Sequence, residues 1–263
     1  MEMTAMNPNI RIGALISGSG TNLQAIMDAC KSGQIRGRIV FIGSDNPDAE
    51  GLKRGEKLKI PSFVVDYGSI IRRFKKTPEE VKIPDDFDFD EIHSKQTLFH
   101  LFLATRAIAE ASLLDKMKNY PFDLLVLAGF MRNMTPYFID RVNTVPDHPR
   151  IMNIHPALLP AFPGIDGYGD TFRYGCKIGG CTVHFVDFGE DSGPIIGQRA
   201  YTILEDDTIE SVREKGLKLE WALYPECVKL FAEGRLKTIR KTHVLKNSKK
   251  IHRTVVRILP SPN

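Results

Sequence analysis

Short runs of apolar residues alternate with segments in which apolar positions recur every three to four residues, and this alternation predicts a sheet flanked by helices. IRIGALIS (10–17) reads as a buried strand, 22–31 as a helix closed by Gly33, and RIVFIGS (38–44) as a second strand. Residues 47–58 read as a second helix and SFVVDY (62–67) as a third strand. A series of this kind implies a parallel sheet, because a parallel crossover needs a helix laid on a face of the sheet. A long helix over about 95–119 follows, then DLLVLAGF (123–130) and RIMNIH (150–155) as fourth and fifth strands, whose ends should be neighbours at the carboxyl edge. Beyond them CTVHFVDF (181–188) and PIIGQRAYTIL (194–204) are extended and alternating, and a long helix over 207–233 ends at Gly234. The expected class is α/β: a mostly parallel sheet with helices on both faces and a mixed C-terminal half.

Two segments depart from the pattern. Residues 68–92 are rich in charge and carry two prolines, which reads as a surface insertion with the composition of a solvated loop. The tail has strand-like pieces, THVL and TVVRIL, separated by NSKK, as a hairpin would. The expected division is therefore one domain over 1–236 and a basic extension over 237–263.

At 263 residues the chain can bury roughly 70–75% of its unfolded surface, so neither disulfides nor metals are needed to hold a core. The net charge of +4 is concentrated in 237–257, where no acidic residue occurs, and the rest is near balance. A nucleic-acid platform on the main body is not indicated. No stretch approaches the ~18 apolar residues of a membrane span, the polar N-terminus lacks the apolar core of a signal peptide, and the four cysteines are scattered. These features fit a reduced, cytoplasmic protein with no membrane partner.

Candidate chemistry gathers at the ends of the apolar runs. In RIMNIHPALLPAFPG, Asn153 and His155 lie two apart on a strand, so both side chains point to one face, and Pro156 fixes the exit of the chain. An amide and an imidazole aimed at one point can stabilise an oxyanion. Asp191, in the loop of HFVDFGEDSGPII, would complete a set suited to acyl or formyl transfer; its sequence is equally that of an ordinary Asp-Ser-Gly turn. SGSGTN (17–22) joins the first strand to the first helix in the manner of a Rossmann-like phosphate loop. Leu23 stands where a dinucleotide fingerprint needs its third glycine, so a single phosphate is the better fit. The alternative is a plain turn in which Thr21 or Asn22 caps the helix. Cys176, Cys181 and His184 have no metal-ligand spacing, and no metal is expected.

Taken together, RIGALISGSGTNLQAI, LVLAGFMR, RIMNIHPALLPAFPG, HFVDFGEDSGPII and EWALYPECVKLFAEGRL resemble, in order and spacing, the phosphoribosylglycinamide formyltransferases, folate-dependent enzymes of purine synthesis. The likeness runs from Ile10 to Leu236. It implies the formyltransferase fold, with Asn153, His155 and Asp191 as the catalytic trio. Gly20, Thr21 and Asn22 would hold the ribonucleotide phosphate, Glu220 would contact the glycinamide ribonucleotide, and Met131, Asn133, Met134 and Asp187 would line the folate pocket. It further implies 10-formyltetrahydrofolate as co-substrate without a metal, small molecules rather than nucleic acid as partners, and a monomer or homodimer. Asn133, Trp221 and GYGDTFRYG depart from the family pattern, which usually has an aliphatic residue, a histidine and a histidine-containing segment there. A formyltetrahydrofolate hydrolase, a formyltransferase for another amine and a silent folate- or phosphate-binding module are the alternatives.

Overall fold

The computed structural model describes residues 9–78, 82–87, 97–246 and 248–261. A seven-stranded sheet has the order β3-β2-β1-β4-β5-β6-β7. Its strands are β1 (Ile10–Ile16), β2 (Gly37–Ser44), β3 (Ser62–Val64), β4 (Leu124–Leu127), β5 (Ile151–His155), β6 (Ile178–Phe185) and β7 (Ile195–Thr202). The first five run parallel; β6 pairs antiparallel with β5, and β7 antiparallel with β6. The chain builds outward from β1 in one direction and then returns to build on its other side with β4. That reversal leaves a crevice between the carboxyl ends of β1 and β4, the usual place for a ligand in an open α/β sheet.

The period-two alternation of the central strands sorts the core into two layers. On one face Ile12, Ala14 and Ile16 of β1 and Leu124 and Val126 of β4 join α1 (Thr21–Lys31) and α7 (Ile209–Ala232). On the other, Leu15, Leu125 and Leu127 join Phe41, α4 (Thr97–Met117) and α5 (Pro136–Val142). Each fully buried aliphatic side chain contributes roughly 1.5–3 kcal/mol. α2 (Gly51–Lys57) is shorter than the 47–58 pattern suggested, and α6 (Gly167–Arg173) was not foreseen.

The third strand stops at Val64, because Asp66 caps a helix instead: its side chain accepts from the Ser69 backbone N–H, 2.9 Å away. That helix, α3 (Tyr67–Lys76), begins the segment read as a solvated loop. Farther along, Phe87 is buried against Leu103 and Ala107 of α4, so this stretch carries packed structure; residues 79–81 and 88–96, including the expected start of the long helix near Lys95, lie outside the described residues. The tail forms a longer hairpin than its two strand-like pieces suggested, β8 (Leu236–Val244) with β9 (Lys250–Ile258). Its root is docked, since Leu236 and Val256 pack against the core and the Leu259 N–H donates to the Arg235 carbonyl at 2.8 Å.

One buried side chain ties α7 to the functional end of the sheet. The Tyr224 hydroxyl lies 2.7 Å from the Met152 carbonyl and 3.2 Å from that of Leu127, so it bonds to both β4 and β5. Tyr224→Phe should keep the fold and cost about 1–1.5 kcal/mol in a urea titration, the net worth of one buried hydrogen bond. An unchanged midpoint and slope would show that the hydroxyl holds nothing.

Candidate active site

Three loops leave the carboxyl edge of the sheet at the point of reversal: 17–20 after β1, 128–135 after β4, and 156–166 after β5. With the loop between β6 and β7 and one face of α7 they enclose a cavity of about 780 Å³. The loops are stitched together. The Ser17 N–H donates to the Gly129 carbonyl (3.0 Å), and the Ser17 hydroxyl accepts from the Met131 N–H (2.8 Å). From α2, Arg54 donates to the Ser19 carbonyl at 2.9 Å, and the Gly51 N–H donates to the Gly18 carbonyl at 3.0 Å.

Gly20 sits at the N-cap of α1 with φ 66°, a conformation that disfavours residues with a Cβ. A Cβ there would also stand 2.9 Å from the Gly51 Cα. The cap uses no side-chain hydrogen bond, so neither Thr21 nor Asn22 serves as the capping residue that a plain turn would require. Gly20, Thr21 and Asn22 line the cavity at the start of α1, where the free N–H groups of a helix's first turn suit an anion.

Asn153 and His155 both line the cavity, as their spacing predicted, and the loop between β6 and β7 brings Asp191 to them. His155 is 3% exposed; its Nδ1 lies 3.1 Å from Asp191 Oδ2 and its Nε2 2.7 Å from the Phe162 carbonyl oxygen. Both partners only accept, a geometry that suits a ring protonated on both nitrogens, the imidazolium. Burial by itself would lower the His155 pKa, but the hydrogen bond and charge of Asp191, with the Phe162 carbonyl, outweigh it and raise the pKa above its ordinary value. Burial would likewise raise Asp191, yet the hydrogen bond and charge of His155 and the Gly164 N–H, 2.9 Å away, hold it far below the usual carboxylate range.

A second imidazole belongs to His184, whose sequence context, CTVHFVDF, is that of an ordinary strand histidine. Antiparallel register places it directly beside Asn153. Its Nδ1 is 2.9 Å from the Phe185 carbonyl and therefore protonated, which leaves Nε2 to accept from the Asn153 amide at 3.3 Å. Nε2 also lies 3.6 Å from Asp191 Oδ1, beyond hydrogen-bond reach. His184 thus sets the Asn153 amide. The signal for it was a polar residue in the apolar run of a strand that pairs with β5, legible only once the pairing was known.

The remaining expected residues divide. Asn22 and Glu220 meet, with the amide donating to the carboxylate at 2.6 Å, although 198 positions separate them. Asn133 donates to Glu190 at 2.9 Å and Asp187 accepts from the Ser192 hydroxyl at 2.6 Å, so both brace the β6–β7 loop. Met131 is half exposed at the cavity rim, whereas Met134 is 9% exposed and also packs into the core beneath the sheet. Arg106 and Arg132, which the sequence reading did not single out, add two guanidinium groups to the wall. Each stacks 5.2 Å from the Tyr67 ring centroid, and Arg132 also pairs with Asp45. Among the described residues no group of three or more His, Cys, Asp or Glu is placed to hold a metal ion, and no helix is long and apolar enough to cross a membrane.

Residues 10–228 match the formyl transferase family model. The phosphoribosylglycinamide formyltransferase of Haemophilus influenzae is 34% identical over 227 residues, 86% of this chain and 89% of that protein. The trifunctional purine biosynthetic protein adenosine-3 of Chironomus tentans is 34% identical over 229 residues, and there the chain spans only 14% of the relative's length. Among solved structures, glycinamide ribonucleotide transformylase 1 from Symbiobacterium toebii superimposes with a TM-score of 0.70 at 37% identity, covering 99% of each chain.

The pairing of His155 with Asp191 has a direct solution test. In Asp191→Asn the shape survives but the charge is lost, so the pKa of His155, followed by NMR of its ring, should fall toward and below its ordinary value. A titration unmoved from wild type would mean that the carboxylate does not sustain the imidazolium.

Proposed function

The chain belongs to the formyl transferase family, and from that premise we propose that it transfers a formyl group from 10-formyltetrahydrofolate to the amine of glycinamide ribonucleotide in purine synthesis. The observation that carries this reading is the pairing of buried His155 with Asp191 beside Asn153, facing a cavity whose other wall is the SGSGTN turn at the start of α1. One end suits a phosphate and the other suits charge developing on a carbonyl oxygen. The distance between them is spanned by a single cavity, as a small phosphorylated amine requires.

Attack of the amine on the formyl carbon places negative charge on the formyl oxygen, and donors already aimed at that oxygen lower the barrier. The Asn153 amide has one N–H committed to His184, which leaves the other for the substrate. The His155 Nε2–H is donated to the Phe162 carbonyl, a neutral acceptor. A developing oxyanion is a stronger acceptor and draws that proton away from the carbonyl. The amine loses a proton as it attacks and the folate nitrogen gains one; Asp191, ionised and adjacent, keeps His155 charged throughout and relays the proton through water. Gly20, Thr21 and Asn22 bind the phosphate, and Glu220 contacts the ribonucleotide. Met131, Asn133, Met134 and Asp187 shape the folate side, where the Arg106 and Arg132 guanidinium groups favour the anionic end of that co-substrate. Its four free thiols fit a reducing, cytoplasmic setting.

Purified protein given both substrates should release tetrahydrofolate only when the ribonucleotide is present. Release without the acceptor would make the protein a hydrolase, and no release would leave a binding module. His155→Ala and Asn153→Ala should each lower kcat by about two to three orders of magnitude while the protein stays folded by circular dichroism. Wild-type turnover in either variant would remove that residue from the chemistry.

A further inference from the structure

Glu220 is a carboxyl group in an unusual position. It lies on α7 at the cavity wall, is 4% exposed, and has no ion pair among the described residues. Neutral donors hold it instead. The Asn22 amide donates to Oε2 at 2.6 Å, and the Tyr168 hydroxyl, from α6, donates to Oε1. The position of Tyr168 is built into α7 itself, because Gly216 stands one turn before Glu220 on the same face. A Cβ on Gly216 would lie 2.2 Å from the Tyr168 ring, so the bare glycine is the notch in which the ring rests. Tyr168 falls within GYGDTFRYG, the segment in which this chain departs from the family pattern.

The same corner lacks a donor. The Asn22 amide oxygen is buried with no hydrogen-bond partner among the described residues, next to a carboxylate that neutral groups satisfy only in part. An ionised carboxylate offers about four acceptor sites, and Tyr168 and Asn22 fill one on each oxygen. A hydroxyl or ammonium donor of the ligand is the group this corner is made to receive.

We infer that Tyr168 is the positioning residue of the ribonucleotide site: by bonding one oxygen of Glu220 while Asn22 bonds the other, it fixes the carboxylate in orientation for the acceptor's donor groups. This rests on the reading of the cavity as a formyl-transfer site. Tyr168 touches no reacting atom, so its effect belongs to acceptor binding rather than to chemistry.

The electrostatics give the role a signature that packing alone would not produce. Burial holds the pKa of Glu220 above the usual carboxylate range, and the hydrogen bonds from Asn22 and Tyr168, with the charge of His155, offset that rise only in part. The other titratable groups facing it are Cys181 on β6, Tyr201 on β7 and Tyr224 on α7, each raised by burial and by the Glu220 charge. Removing the Tyr168 hydroxyl therefore raises the Glu220 pKa further. As pH falls, the variant loses the anion, and with it the acceptor, at a higher pH than wild type does.

Tyr168→Phe keeps the ring in the Gly216 notch and removes only the donor. KM for glycinamide ribonucleotide should rise about tenfold or more, the usual effect of losing a hydrogen bond to a charged group. KM for 10-formyltetrahydrofolate and kcat should stay within about threefold, and the acid limb of kcat/KM for the acceptor should move to higher pH. The substrate's own phosphate and amine titrations are common to both enzymes, so the difference between the profiles reports Glu220. If Tyr168→Phe does not fold, 3,5-difluorotyrosine inserted at 168 is a stronger donor of nearly the same shape and should move the limb to lower pH. Unchanged acceptor KM and limb, or equal losses for both substrates, would overturn the role of Tyr168. An inactive wild type would instead overturn the formyl-transfer reading, which separates the two failures.

Discussion

The site depends on one carboxylate that is largely shielded from water. Asp191 is largely withdrawn from water, which by itself disfavours its charge, and it stays ionised because N–H donors distant in the sequence converge on it. His155 comes from the end of β5 and Gly164 from the turn that follows. Without that charge the buried imidazole of His155 would be driven neutral, and one of its two acceptor contacts would lose its proton. The pair is therefore reciprocal, since each ion is kept in a place that would otherwise discharge it. Breaking such a pair costs more than either member contributes, because an uncompensated charge is left behind.

The sheet makes this convergence possible. Reversal of the strand order beside β1 opens the crevice, and the antiparallel turn-back of β6 and β7 carries the Asp191 loop over it. Backbone geometry completes the arrangement: Asp191 itself has φ 48°, a left-handed conformation that aspartate tolerates better than bulkier residues. On the far wall α7 is fixed to β4 and β5 through the Tyr224 hydroxyl, and four residues earlier the same helix presents Glu220 to the cavity. Stability and site geometry thus share a helix.

Features whose physics is local were legible in the sequence. The Asn-x-His spacing foretold a shared face because strand side chains alternate, and SGSGTN foretold a tight turn into a helix. Features set by pairing were not. His184 gains its place from the β5–β6 register, and Tyr168 from a glycine notch on a helix 48 positions farther on. The 68–92 segment reads as solvated because charged residues dominate its composition, yet Tyr67 at its edge and Phe87 within it are buried. A few apolar anchors suffice to dock a polar segment, and composition averages them away. Met134 lines the cavity and its flexible side chain also fills the core, a second contact that its position in the sequence does not signal.

The central claim is that His155 is charged at neutral pH before any substrate arrives, and the protonation of its ring tests this most directly. Nitrogen-15 NMR of the ligand-free enzyme, with the His155 resonances assigned through a His155→Asn variant, should find a proton on both Nδ1 and Nε2 at pH 7. A ring carrying a single proton there would contradict the account, since either the Asp191 bond or the Phe162 bond would then have no donor.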